Sequence, residues 1–172
     1  MNYGIAVFPS REAQDYANSF RKRYDTHYSL IQPHLTVRES EDWSEARLQE
    51  AVEHITRIAQ TIAPFDAKLN RFSSFYPVNN VIYLALEENE PFQSMVEAVC
   101  SGPLAETNRR YGYNPHLTVG QELSDDELHD VLSSLRKKPV NLPFKVDRLH
   151  LLYQTDNKAW TVYQTFLLQG QR

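Results

Sequence analysis

Two histidines and two threonines stand at matching places in the chain. His34 and Thr36 lie in Pro-His-Leu-Thr-Val from Pro33 to Val37; His116 and Thr118 lie in the identical pentapeptide from Pro115 to Val119. A chance recurrence of five residues in so short a chain is improbable, so an internal repeat is the leading explanation. On an extended strand, positions i and i+2 point to one face, and each copy therefore offers an imidazole beside a hydroxyl. Imidazoles titrate near neutrality, so two of them in one site can hold opposite protonation states. The neutral ring can take a proton from water or a hydroxyl, and the imidazolium can give one to a leaving oxygen. Threonine hydroxyls can donate hydrogen bonds to the non-bridging oxygens of a phosphate and stabilise charge in the transition state. This is equipment for acid–base chemistry on an anionic substrate.

The chemistry needs a fold that brings the two copies together, and the flanking sequence predicts one. Tyr3 to Phe8 reads as a strand, and Ser10 caps a helix with Ala13, Tyr16, Ala17, Phe20 and Tyr24 on its inner face. Pro33 opens the first histidine strand, polar Glu39 to Asp42 follow, and a second helix carries Leu48, Ala51, Val52, Ile55, Ile58 and Ile62 up to Pro64. Phe65 to Phe75 reads as a strand, with Asn79-Asn80 turning into the strand Val81 to Leu86. The order then recurs. A helix opens at Pro91, the second histidine strand follows, and Ser124 with Glu127 makes a capping box for the helix bearing Leu128, Val131, Leu132 and Leu135. Pro143-Phe144 repeats Pro64-Phe65, one strand runs on to about Tyr153, and Trp160 to Leu168 closes the chain. The predicted fold class is α+β: a duplicated unit with helices outside two mainly antiparallel sheets, His34 and His116 facing across a central cleft. Residues 1–172 are expected to make one two-lobed domain.

Composition bounds the function. The net charge of −4 argues against electrostatic binding of long duplex nucleic acid, but leaves room for a small nucleotide or one RNA end. Apolar runs are too short to cross a bilayer, no leader segment is read, and the single Cys100 excludes an internal disulfide framework. A cytoplasmic setting is expected. There is no HExxH, no paired-cysteine ligand set and no glycine-rich phosphate loop, and two histidines without a third strong ligand make a poor zinc site. No metal and no cofactor is expected.

Two His-x-Thr strand motifs about eighty residues apart, each reading Pro-His-Leu-Thr-Val, resemble the two-histidine (2H) phosphoesterase superfamily. That superfamily includes the LigT-like 2′-5′ RNA ligases and cyclic phosphodiesterases; the length and motif spacing are most similar to the bacterial YjcG-like phosphoesterases. The resemblance covers essentially the whole chain. It implies a bilobal fold and phosphoester chemistry, often on 2′,3′-cyclic phosphates of nucleotides or RNA ends. It assigns His34 and His116 as the acid–base pair and Thr36 and Thr118 as phosphate-oxygen ligands. Metal-independent opening of a cyclic phosphodiester is the expected reaction. The alternatives are 2′-5′ ligation, and a non-catalytic module that binds a cyclic or terminal phosphate. Which histidine is base and which is acid, and the oligomeric state, are not written in the sequence.

Beyond those four residues the signals are weaker. Arg38 follows the first motif and, by strand alternation, shares the face of His34 and Thr36 as a candidate phosphate contact. Its counterpart Gly120 could leave room for substrate. His54 and His129 read as solvated helix flanks, His27 as a loop residue and His150 as a satisfied core group on a strand. Arg109 and Arg110 could guide an anion, and Tyr76, Tyr111 or Tyr113 could stack on a base, though paired loop arginines are usually solvated and packing is the commoner role for one of ten tyrosines. Cys100 reads as a small buried hydrophobe, and Glu87 to Glu90 as a solvated loop.

Overall fold

The computed structural model describes residues 1–106 and 114–171. Arg109, Arg110, Tyr111 and Tyr113 therefore lie outside the described residues. Among the described residues the order is β1 (Asn2–Val7), α1 (Arg11–Tyr24), β2 (Leu35–Asp42), α2 (Glu45–Thr61), β3 (Phe65–Ser74), β4 (Ile82–Leu86), α3 (Glu90–Val99), β5 (His116–Gly120), α4 (Asp125–Leu135), β6 (Leu142–Val146), β7 (Arg148–Gln154) and β8 (Trp160–Leu167). A 3-10 turn at Gly102–Leu104 follows α3. The strands form two four-stranded sheets, ordered β2-β1-β7-β8 and β5-β4-β3-β6, with every pairing antiparallel. This is the expected duplicated α+β architecture.

The helices form where the apolar stripes and caps dictate. Ser10 accepts from the Ala13 N–H at 3.2 Å, and Ser44 does the same for Arg47. At α4, Ser124 and Glu127 complete the predicted capping box. Each such cap contributes about 1 kcal/mol by satisfying N–H groups that have no partner inside the helix.

Packing interlocks the two halves. The strands before and after α1 belong to the first sheet, yet α1 packs on β5 and β6 of the second, where Tyr16 and Phe20 meet Phe72. The exchange is reciprocal, because α3 joins β4 to β5 but packs on β2. One continuous apolar core results, from Tyr3, Leu35 and Val37 through Phe92 to Leu117, Leu132 and Phe144. The sheets meet where the motif-bearing edge strands β2 and β5 touch.

β2 runs on past the first motif through polar Glu39 to Asp42, with register shifts against β1. Two local expectations are corrected. The strand expected from Pro143 to Tyr153 divides at Asp147, β6 pairing with β3 and β7 with β1, so one extended stretch serves both sheets. His54 is buried rather than solvated, its Nε2 bonded to the Val99 carbonyl at 2.9 Å between α2 and the end of α3. His129 is an exposed flank, as expected, and packs against Tyr76. Among the described residues no helix is long and apolar enough to cross a membrane.

Candidate active site

His34 sits one residue before β2 and His116 opens β5, the edge strands at which the two sheets meet. The Nδ1 of His34 lies 2.8 Å from the Gln32 carbonyl, and the Nδ1 of His116 lies 2.9 Å from that of Asn114. The two bonds are equivalent, each reaching back two residues. A carbonyl only accepts, so Nδ1 carries the proton in both neutral rings and Nε2 is left with its lone pair. Pro33 and Pro115 precede the histidines and favour the extended backbone from which the motifs start.

Both imidazoles line one cleft of about 460 Å³, together with Thr36 and Thr118. That volume suits a small-molecule site. The structure thus assembles in one place the four residues the repeat singled out. Phe75, Val81, Asn79 and Gln121 contribute from one side, and Gly4, Leu152, Ile31 and Trp160 from the other. The His116 ring is gripped edge-on by Phe75 (4.9 Å) and Tyr83 (5.6 Å), and Asn114 donates to the Tyr83 hydroxyl at 3.0 Å. The ring and the carbonyl that orients it are therefore held by the same tyrosine.

Arg38 requires a correction. Ala6 pairs with Thr36, but Ile5 pairs with Arg38, so β2 advances two residues while β1 advances one. Such a bulge inverts the alternation beyond it. Ile5 faces the apolar core, and the Arg38 side chain follows it there, only 3% exposed. Its Nε donates to the Leu104 carbonyl at 3.0 Å, its guanidinium lies over Trp43, and Glu41 and Glu106 flank it. Arg38 still borders the cleft, but its charged end is committed to the helix side. Glu39 takes the next cleft-lining place. Gly120 likewise holds no space for substrate. A Cβ there would stand 3.1 Å from the Tyr24 Cβ, and the next residue, Gln121, donates its N–H to the Tyr24 carbonyl.

Two residues of α1 and its cap were missed by sequence reading. Arg21, 2% exposed, and Asp25 form a buried ion pair (Nε to Oδ2, 3.0 Å) on the cleft wall. Their i, i+4 spacing at a helix end was the available signal, but it reads as an ordinary surface pair. Gln121 and the apolar wall residue Trp160 carried none.

Electrostatics separate the two histidines. Burial pushes the His34 pKa down from 6.5 to about 4, opposed by the Gln32 carbonyl and Asp25 and reinforced by Arg21 and His116. Burial also lowers His116, but there the Asn114 carbonyl and the Glu39 carboxylate pull the other way. No group of three or more His, Cys, Asp or Glu side chains among the described residues is arranged to hold a metal ion.

Residues 8–158 match the model of the 2′-5′ RNA ligase superfamily, and this span holds both motifs. The chain belongs to that superfamily. It is 47% identical over 171 residues to a protein of Geobacillus sp. strain WCH70, covering 99% of this chain and 98% of the relative. It is 48% identical over 168 residues to one of Bacillus licheniformis, covering 98% and 99%. Both relatives carry the name "putative phosphoesterase". The fold matches the crystal structure of Escherichia coli LigT complexed with 3′-AMP, with a TM-score of 0.73, 15% identity and 97% of each chain covered. LigT has also been crystallised with phosphate, ATP and NADP+. Superfamily membership and the relatives' names support a hydrolase acting on phosphoric ester bonds.

Proposed function

We propose that the protein opens a cyclic phosphodiester, the 2′,3′-cyclic phosphate of a nucleotide or RNA end, by metal-independent two-histidine catalysis. The observation that carries this reading is the equivalent pair of Nδ1–carbonyl bonds at His34 and His116, which present two Nε2 atoms to one cleft. In-line attack places the entering water and the leaving oxygen on opposite sides of phosphorus, which calls for a base and an acid facing each other. LigT, which shares this fold, binds 3′-AMP, ATP and NADP+, and a small nucleotide is the substrate class favoured here.

His34 is the base. In the ligand-free protein burial holds its ring pKa well below the usual histidine range, which favours the neutral imidazole whose Nε2 can accept a water proton. As the water oxygen bonds to phosphorus, the ribose P–O bond breaks and the leaving oxygen takes the proton of His116 Nε2. The bound phosphate, together with Glu39, favours the imidazolium that this step requires. Thr36 and Thr118 hold the non-bridging oxygens. Arg38 is not assigned a phosphate, because its guanidinium is buried, with Nε bonded to the Leu104 carbonyl and Glu41 and Glu106 as ion-pair partners. Attack by a ribose 5′-hydroxyl in place of water, with the 3′-oxygen leaving, would open the same ring into a 2′-5′ linkage and use the same two imidazoles. The single cysteine fits a reducing cytoplasm.

A screen of 2′,3′-cyclic nucleotides, ADP-ribose cyclic phosphate and 2′-5′ linked oligonucleotides, run with a chelator present, tests the reading. Turnover of a cyclic phosphate is expected without added metal. Tight binding of a cyclic phosphate with no turnover under any metal condition would favour a binding module instead.

A further inference from the structure

Both histidine motifs are tied to one buried charge pair that takes no part in the proton transfers. Arg21 reaches three acceptors: Asp25 through Nε (3.0 Å), Asn18 Oδ1 through one terminal nitrogen (2.7 Å) and the Ile31 carbonyl through the other (2.6 Å). Ile31 directly precedes Gln32, whose carbonyl orients His34. Asp25 uses its second oxygen, Oδ1, to accept from the His27 N–H (2.8 Å) and from Gln121 Nε2 (2.7 Å). Gln121 directly follows β5, the strand that carries His116 and Thr118, and its own N–H is bonded to the Tyr24 carbonyl at 3.0 Å. One end of α1 therefore grips the approach to the first motif and the exit from the second.

Burying two charges costs several kcal/mol before their attraction is counted, so such a pair is a poor way to gain stability alone. It is a good way to fix a geometry, because every donor and acceptor demands its own partner and direction. Arg21, Asp25 and Gln121 all line the cleft, so the fixed geometry is that of the site. We propose that Arg21, Asp25 and Gln121 are positioning residues that set the separation and facing of the two catalytic imidazoles. The proposal rests on the two-histidine reading of the cleft and adds the device that aligns it. Misplacement of reacting groups by about 1 Å lowers rates by about 10²-fold, which is the scale of effect a lost clamp should have.

Gln121→Glu supplies a readout that a merely structural role would not move. Deprotonated, the new carboxylate faces Asp25 at hydrogen-bond distance and the clamp opens. Protonated, it donates to Asp25 Oδ1 as the amide did. The expected result is a kcat reduced by about 10²-fold at pH 8 and largely recovered near pH 5, with KM changed far less. Gln121→Leu should lose kcat at every pH, and Arg21→Lys should not rescue, since one ammonium cannot serve the three separate acceptors. A Gln121→Glu profile parallel to that of the native protein, or full kcat in Gln121→Leu, overturns the proposal. A second measurement separates it from the phosphodiesterase reading. Titration with inorganic phosphate, followed through the imidazole nitrogen resonances, should shift both rings in the native protein and at most one in Gln121→Leu. If no cyclic phosphate is turned over but this difference holds, the clamp stands without that reaction. If both rings respond alike in Gln121→Leu, the clamp falls whatever the substrate.

Discussion

The two histidines share a sequence, a backbone partner two residues back and a cleft, yet they are not equivalent. His34 lies beside the Arg21–Asp25 pair, whereas His116 has Glu39 on its side. The difference is measurable residue by residue. In the ligand-free protein, the His34 ring should titrate near pH 4, and bound phosphate should raise that midpoint. Nuclear magnetic resonance of the ring protons reads both; a midpoint left near 6.5 would remove the basis for naming His34 the base. The same shift affects stability. A histidine held below its unfolded pKa adds stability that is fully present above pH 6.5 and is lost as the pH falls from there to about 4. His34→Asn should therefore flatten that part of the pH–stability curve in chemical denaturation. Arg38 shows the limit of residue-level reading. Its type and position were right for a phosphate ligand, and only a one-residue irregularity in β2 sent its guanidinium to Leu104 instead.

Most elements were legible because their signals are local. Caps at Ser10 and Ser124, prolines near element starts and apolar stripes placed the helices within a few residues. What the sequence did not show depends on partners far along the chain. The bulge in β2 exists only against β1, the division at Asp147 only because two sheets claim the same stretch, and the burial of His54 only because Val99 offers a carbonyl. The chain's end gives another case. Gln169 and Gly170 donate their N–H groups to the Ala59 and Ile62 carbonyls, capping the last turn of α2. A Cβ on Gly170 would lie 2.5 Å from the Ile62 carbonyl carbon, an approach that backbone atoms cannot yield cheaply. Gly170→Ala should therefore destabilise by about 1–3 kcal/mol, with activity per folded molecule unchanged. Denaturant titration checks it, and an unchanged midpoint would show the tail to be dispensable.

At the scale of the molecule, exchange of α1 and α3 between the sheets makes the cleft a property of both halves together. Neither sheet can keep its apolar cover if the other unfolds, because each is covered in part by a helix strung between strands of its neighbour. A single cooperative transition is expected, with calorimetric and van't Hoff enthalpies equal; two resolved transitions would show independent lobes. The same interlock explains how edge strands from different sheets can hold two imidazoles in register around one small cleft. The proposed chemistry rests on that register. The most direct measurement is turnover of a 2′,3′-cyclic nucleotide, with chelator present, by the native protein and by His34→Asn and His116→Asn. The prediction is metal-independent turnover that falls by about 10²- to 10⁴-fold in each variant while both stay folded. Turnover that survives either substitution, or that appears only with added metal, would contradict two-histidine catalysis in this cleft.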